Sequence, residues 1–218
     1  MSARAMETEL HGDPRERAVV VSASLPWEPW RGGVERKLFE MRRDGAATML
    51  LRLAAGASLE PFEHAGCEDV WILEGELDTY GAHTFLHDPP GSHPARSSRG
   101  GATLLLKLQP ARALDRRRVI ADGRALPGPH HREGLTQTPL FSCGAITIVL
   151  LHFAPQSSIG PHRHHDGEEF FVLDGSLSDE HGAYETHTWV RQPCGTVHSV
   201  VSESGCTLFS IAGHLLSQ

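Results

Sequence analysis

Residues 160–175 read GPHRHHDGEEFFVLDG. His162 and His164 stand two apart, so on an extended chain both imidazoles project from one face, with Arg163 pointing the other way. A bend containing Gly167 follows, and Glu168 opens a run of aromatic and β-branched residues of strand type. About thirty residues later PCGTVH, residues 193–198, supplies His198 just after a Pro and Gly turn that would return another strand across the same face. His162, His164, Glu168 and His198 can then converge on one point inside a small barrel. Three imidazoles and a carboxylate suit Fe(II), Mn(II), Ni(II) or Zn(II) without choosing among them. The chain has 15 His, and HRHH alone would fit a solvated loop with adventitious metal affinity. The joint spacing of G-x-H-x-H, Glu, Gly and P-x-G-x-x-H favours a built site.

The same pattern occurs twice. EDVWILEGEL at 68–77 aligns with EEFFVLDGSL at 168–177 at an offset of 100. That offset also sets Leu50, Leu51 and Arg52 on Leu150, Leu151 and His152. Downstream the offset is 104, which places Tyr80, His83, Thr84, Phe85, Pro89 and Gly91 on Tyr184, His187, Thr188, Trp189, Pro193 and Gly195. A four-residue length change in one hairpin, after Gly75 or Gly175, accounts for the difference, because loop tips tolerate insertion. The expected organisation is an N-terminal extension over 1–24, a first domain over 25–110, a linker over 111–137 with at most one short strand, and a second domain over 138–218.

Within each copy the apolar runs are short and bounded by Gly, Pro or Asp, which predicts strands. The 22 Gly and 14 Pro agree with an all-β fold. Glu74-Gly75 and Asp174-Gly175 are read as tight hairpin turns needing a left-handed residue. Glu35 to Arg43 is the one candidate for a turn or two of helix.

The composition narrows the partners. Twenty Lys and Arg against 27 Asp and Glu give a net charge of -7, which repels a phosphate backbone, so no nucleic acid is expected despite the Arg116–Arg118 cluster. Cys67, Cys143, Cys194 and Cys206 lack C-x-x-C spacing and read as free thiols in a reducing compartment. The N-terminal stretch is polar and apolar runs are far too short to span a bilayer, so a soluble, cytoplasmic protein without membrane contact is expected. No G-x-S-x-G, Walker or dinucleotide fingerprint appears.

Both motifs resemble those of the cupin superfamily, and the chain from about Trp27 onward is similar to two-domain cupins, or bicupins, of the ChrR-like type. The resemblance implies two tandem jelly-roll β-barrels and metal ligation by His162, His164, Glu168 and His198. It also implies two function classes. One is a divalent-metal-dependent enzyme of the dioxygenase type, Fe(II) being one candidate, acting on a small-molecule substrate. The other is a zinc-binding regulatory or sensor module, or a metal-dependent binding protein. ChrR itself is an anti-sigma regulator, but the stretch before Trp27 is too short for a helical zinc domain, so a sigma-factor partner is not expected. Homodimerisation through an edge strand is open.

The first copy keeps His64, Glu68 and Gly75, but Phe62 stands where the first histidine would be. In PPGSHP, His93 lies one residue nearer its glycine than His198 does, which a one-residue deletion in the turn would explain. His64, Glu68 and His93 could hold zinc or iron with open positions, or Phe62 could fill a purely structural barrel. Cys67 is a further candidate ligand, with a small buried hydrophobe as its commoner role. His83 and His187 occupy equivalent positions and should serve the fold, and His130 and His131 fall in the linker. Arg52 and His152 line the cavities only if their strand register turns them inward. Trp71, Phe85, Phe171 and Trp189 are expected to fill packing between sheets or domains. Metal affinity should fall on acidification, because protons compete for imidazole nitrogens.

Overall fold

The computed structural model describes residues 9–61, 66–91, 95–110, 117–124 and 130–215. Among them every element is a strand except a 3-10 turn at Ser22–Ser24. The all-β expectation therefore holds, whereas the helix candidate does not. Residues Val34–Met41 form a strand paired with Ala47–Leu53. Phe39 is fully buried beside a register shift between Leu38 and Glu40, and a helix there would leave an edge of Ala47–Leu53 unpaired.

Each half builds one large antiparallel sheet in the same order. In the second half the path runs Ala18–Val21, Thr188–Gln192, Glu168–Asp179, Cys206–Ala212, Ile146–Phe153, Leu135–Cys143 and His130–Arg132. In the first it runs Val119–Asp122, Thr84–Asp88, Cys67–Leu77, Ala102–Gln109, Ala47–Leu53, Val34–Met41 and Glu28–Arg31. A second layer closes each barrel: Ser157–His164 on Thr196–Ser202, and Ser58–Leu59 on Arg96–Ser97. These are two tandem jelly-roll barrels.

The two halves exchange strands. Ala18–Val21, at the start of the chain, pairs with Thr188–Gln192 of the second barrel, and Val119–Asp122 pairs with Thr84–Asp88 of the first. Residues 111–137, expected as a connector with at most one short strand, thus carry Val119–Asp122, His130–Arg132 and the beginning of Leu135–Cys143. Sequence periodicity could not reveal this, because a four-residue edge strand has too few residues to display alternation.

Three apolar cores result. Leu51, Leu53, Val70, Ile72 and Leu104 help fill the first barrel, and Phe153, Ile159, Phe170, Val172 and Leu208 help fill the second. The third lies between them and contains Trp71 and Phe85 from one half with Phe171, Trp189 and Phe209 from the other. Phe209 meets both Trp71 and Phe85 at 5.9 Å between ring centroids. The four repeated aromatics are therefore the cement between the barrels.

Gly75 and Gly175 are not hairpin turns. Cys67–Leu77 and Glu168–Asp179 run continuously through them. Each strand shows a register shift just before the glycine, opposite Thr103/Leu104 and between Val172 and Asp174. Both glycines have φ 74°, as a bulged strand requires, so the left-handed requirement stands and its setting changes. The true hairpins come later. Leu77 pairs with Tyr80 in the first barrel. In the second, Leu177 pairs with Tyr184 and the ladder continues through Ser178–Ala183 and Asp179–Gly182. Those two added pairs are the four extra residues that change the offset from 100 to 104. His83 and His187 close equivalent turns at φ 69° and 66°, with their N–H groups donating to Ile72 and Val172 carbonyls.

Candidate metal centre

In the second barrel His162 lies directly opposite His198 across the Ser157–His164 and Thr196–Ser202 pair. Strand alternation puts His164 on the same face as His162. Arg163 and its partner Val197 face outward, and the Arg163 guanidinium donates to the Gly195 carbonyl at 2.9 Å. Possible ligand atoms of His162, His164 and His198 all lie within 4.8 Å of one another. Nε2 of His164 and Nε2 of His198 are 3.0 Å apart. Glu168, at the start of its strand, places Oε2 3.3 Å from His164 Nε2, while its Oε1 accepts from the Ser210 hydroxyl at 2.7 Å. The structure thus brings together the four residues that the sequence singles out in this half.

The proton positions follow from the partners. His162 Nδ1 lies 3.1 Å from the Gly160 carbonyl, which only accepts, so Nδ1 carries the proton and Nε2 keeps its lone pair. His198 Nδ1 lies 3.3 Å from Asp179 Oδ2. Burial opposes the charge on Asp179, but hydrogen bonds from Tyr184, the His181 amide and His198 prevail and hold its carboxyl below the usual range. An ionised Asp179 also only accepts, which puts the His198 proton on Nδ1 and leaves the Nε2 lone pair on the side of the cluster, 3.0 Å from His164 Nε2. Ring nitrogens in a cluster whose possible ligand atoms lie within 4.8 Å of one another, beside a carboxylate, fit a divalent ion.

These side chains form one wall of a cavity of about 150 Å³. Leu135, Leu151, Phe153, Phe170 and Leu208 are among its apolar lining residues, and Gln137 is the polar lining residue besides His162, His164, Glu168 and His198. Among the described lining residues there is no Lys or Arg. Asp179 and Gln137 were missed in the sequence. A signal for Asp179 existed, because it lies in the extra residues of the second hairpin; Gln137 fell in the stretch read as linker.

The first barrel differs. Glu68 is buried, but His64 and His93 lie outside the described residues, as does Phe62. Leu59 pairs with Arg96 where Ile159 pairs with Val200, an offset of 104 that already holds at Gly91 and Gly195. No residue is deleted between them, so the deletion invoked to align His93 with His198 is absent and His93 matches Val197 by count. Arg96 stands where Val200 lines the second cavity. Its buried guanidinium pairs with Asp88 and, at 3.2 Å, with Asp78. Cys67 is buried.

Other candidates resolve by register. His87, which the sequence did not single out as a ligand, is buried between barrels, 2.6 Å from Asp69 Oδ1 and stacked on Phe141. Arg52 is turned away from the barrel, paired with Glu35 and lying over Trp27. His152 likewise faces outward, within 3.3 Å of Thr138 and Thr207 hydroxyls. All four cysteines are free of disulfides. No helix of the described residues is long and apolar enough to cross a membrane.

Two barrels of this topology in one chain are the architecture of a two-domain cupin. The chain belongs to the ChrR cupin-like domain family, whose model matches residues 15–112 and again 118–216. Each matched repeat begins ahead of the strand it gives to the other barrel. No curated protein sequence matches the chain. Solved structures share its fold at low identity. A candidate dioxygenase from Nostoc punctiforme has a TM-score of 0.78 at 14% identity, covering 94% of this chain and 85% of that one. Protein Ylba from E. coli has a TM-score of 0.71 at 11% identity, covering 94% of each. Oxalate decarboxylase from Bacillus subtilis, a protein with Mn(II) centres, has a TM-score of 0.66 at 14% identity, covering 96% and 80%.

Proposed function

We propose that the second barrel is a divalent-metal site, with His162, His164, Glu168 and His198 as ligands, that binds a small uncharged or weakly acidic oxygen chelator for chemistry of the dioxygenase type. The observation that carries this reading is the pairing of that donor set with an apolar cavity free of cationic side chains among its described lining residues. A dianionic substrate would bring charge into a wall with nothing to neutralise it beyond the ion itself, and desolvating it there would be costly. A cavity near 150 Å³ suits a molecule of roughly benzene size. Such a ligand would place its oxygens toward the ion and its carbon body against Leu151, Phe153 and Phe170, with Gln137 available for one hydrogen bond. A bound ion would supply Lewis acidity and, as Fe(II), a route to dioxygen.

The first barrel has a packing role in this reading. The Arg96 guanidinium balances Asp88 and Asp78 in its interior, so one ion per chain is expected.

Elemental analysis of the purified chain, followed by oxygen uptake of the Fe(II)-loaded protein with 2,4-pentanedione and related enols, tests the proposal. The expected result is about one ion per chain and substrate-dependent uptake. Anaerobic binding without turnover across the panel would remove the enzyme reading, and tight zinc retention in that case would favour the sensor module.

A further inference from the structure

The hairpin that distinguishes the second barrel from the first also delivers a buried acid to the proposed ligand set. Asp179 lies in the last pair of the extension, opposite Gly182, and the shorter first hairpin has no counterpart to that pair. Its side chain has 0% exposure. Oδ1 accepts from the Tyr184 hydroxyl and from the His181 N–H at 2.8 Å. Oδ2 accepts from Gln192 Nε2 at 3.1 Å and faces His198 Nδ1 at 3.3 Å. The Tyr184 hydroxyl in turn accepts from Arg17, whose guanidinium also lies 5.5 Å from the centroid of the Tyr184 ring. Arg17 immediately precedes Ala18–Val21, the strand that the start of the chain gives to the second barrel.

We propose that Asp179 is a positioning residue for the metal centre: it accepts a hydrogen bond from His198 Nδ1–H, fixes the ring with Nε2 toward the proposed ion site, and is itself held through Tyr184 by Arg17. The proposal rests on the reading that His198 is a metal ligand. A buried carboxylate that receives four hydrogen bonds has little freedom to turn, so it constrains the one partner that has two tautomers. Partners of this kind orient the ligand and raise its basicity, and their loss typically costs 10–100-fold in metal affinity. The exchanged strand gives the arrangement a second property, since the arginine that completes it comes from the other repeat.

The test is Mn(II) titration of the full chain, together with long-range proton–nitrogen NMR of its histidines in the metal-free state. His198 is expected as the Nδ1–H tautomer. Asp179→Asn should weaken Mn(II) binding by about 10–100-fold, and Tyr184→Phe and Arg17→Met should do so by less. His198→Ala should weaken it further than any of them. Wild-type Mn(II) affinity in Asp179→Asn, with the loss in His198→Ala intact, would overturn the role of Asp179 alone. Unchanged binding in His198→Ala would overturn both this role and the ligand assignment. Should the Asp179 variant not fold, an Nε2–H tautomer at His198 in the unaltered chain would still refute the proposal.

Discussion

At the scale of single residues, the centre depends on strand alternation, which separates neighbours of similar composition. His164 faces the cavity and Arg163 faces solvent. His164→Ala is therefore expected to lower metal affinity by more than the 10–100-fold that loss of an outer partner costs, whereas Arg163→Ala should leave it unchanged. Metal content after dialysis, compared between the two variants, checks this. Most of this geometry was legible in residues 160–175 and 193–198, because a period of two fixes which side chains share a face. Arg96 shows the limit of that reasoning. Its place on the wall of the first barrel follows from pairing with Leu59, and nothing local in PARSS announces a buried guanidinium.

At the scale of elements, the longest strands carry bulges before Gly75 and Gly175, and alternate residues of each face a barrel core and the contact between barrels. A Cβ on Gly175 would stand 2.1 Å from the Gly205 carbonyl oxygen and 2.9 Å from Cys206 Cα, all of it backbone. Gly144 also has positive φ, at 60°, but has open space around it. Gly144→Ala should cost only the strain of its backbone conformation, about 1–3 kcal/mol. Gly175→Ala should cost more, because the strand pair must also separate. Urea unfolding midpoints of the two variants measure the difference. The glycine was visible in the sequence as a left-handed position. Its setting was not, because a turn and a bulge ask for the same φ and differ only in what lies across the ladder.

At the scale of the whole molecule, a buried ion cluster ties the barrels together beside the aromatic core. Lys107, from the first, reaches Glu40 at 2.8 Å and Glu169 of the second at 2.7 Å, and Arg191 of the second reaches Glu40 at 2.6 Å. None of these side chains is more than 3% exposed. Burial disfavours the Lys107 charge, yet Glu169 and Glu40 overcome it and raise its pKa above the ordinary lysine value. A raised lysine stabilises the fold below its unfolded value of about 10.4 and loses that contribution as pH climbs through the folded value. Stability should therefore fall above about pH 10.4. Lys107→Met should lower stability by roughly 3–5 kcal/mol at neutral pH, since it removes the buried cation shared by Glu40 and Glu169 and leaves Glu40 to Arg191 and Glu169 to His214, and should flatten the alkaline decline. Thermal unfolding across pH 7 to 11, expected as one transition because the halves share strands and a core, provides the comparison.

The repeat, the all-β class and the gathering of His162, His164, Glu168 and His198 in the second barrel were determined by the chain's own spacing, because alternation and glycine placement act between residues close in sequence. Tertiary structure alone decided that the halves exchange their leading strands, that Arg96 occupies the first barrel, and that Asp179 stands behind His198. Each of these depends on which strands lie side by side, and register between distant strands is set by the packing of the whole core, to which no short stretch of sequence has access.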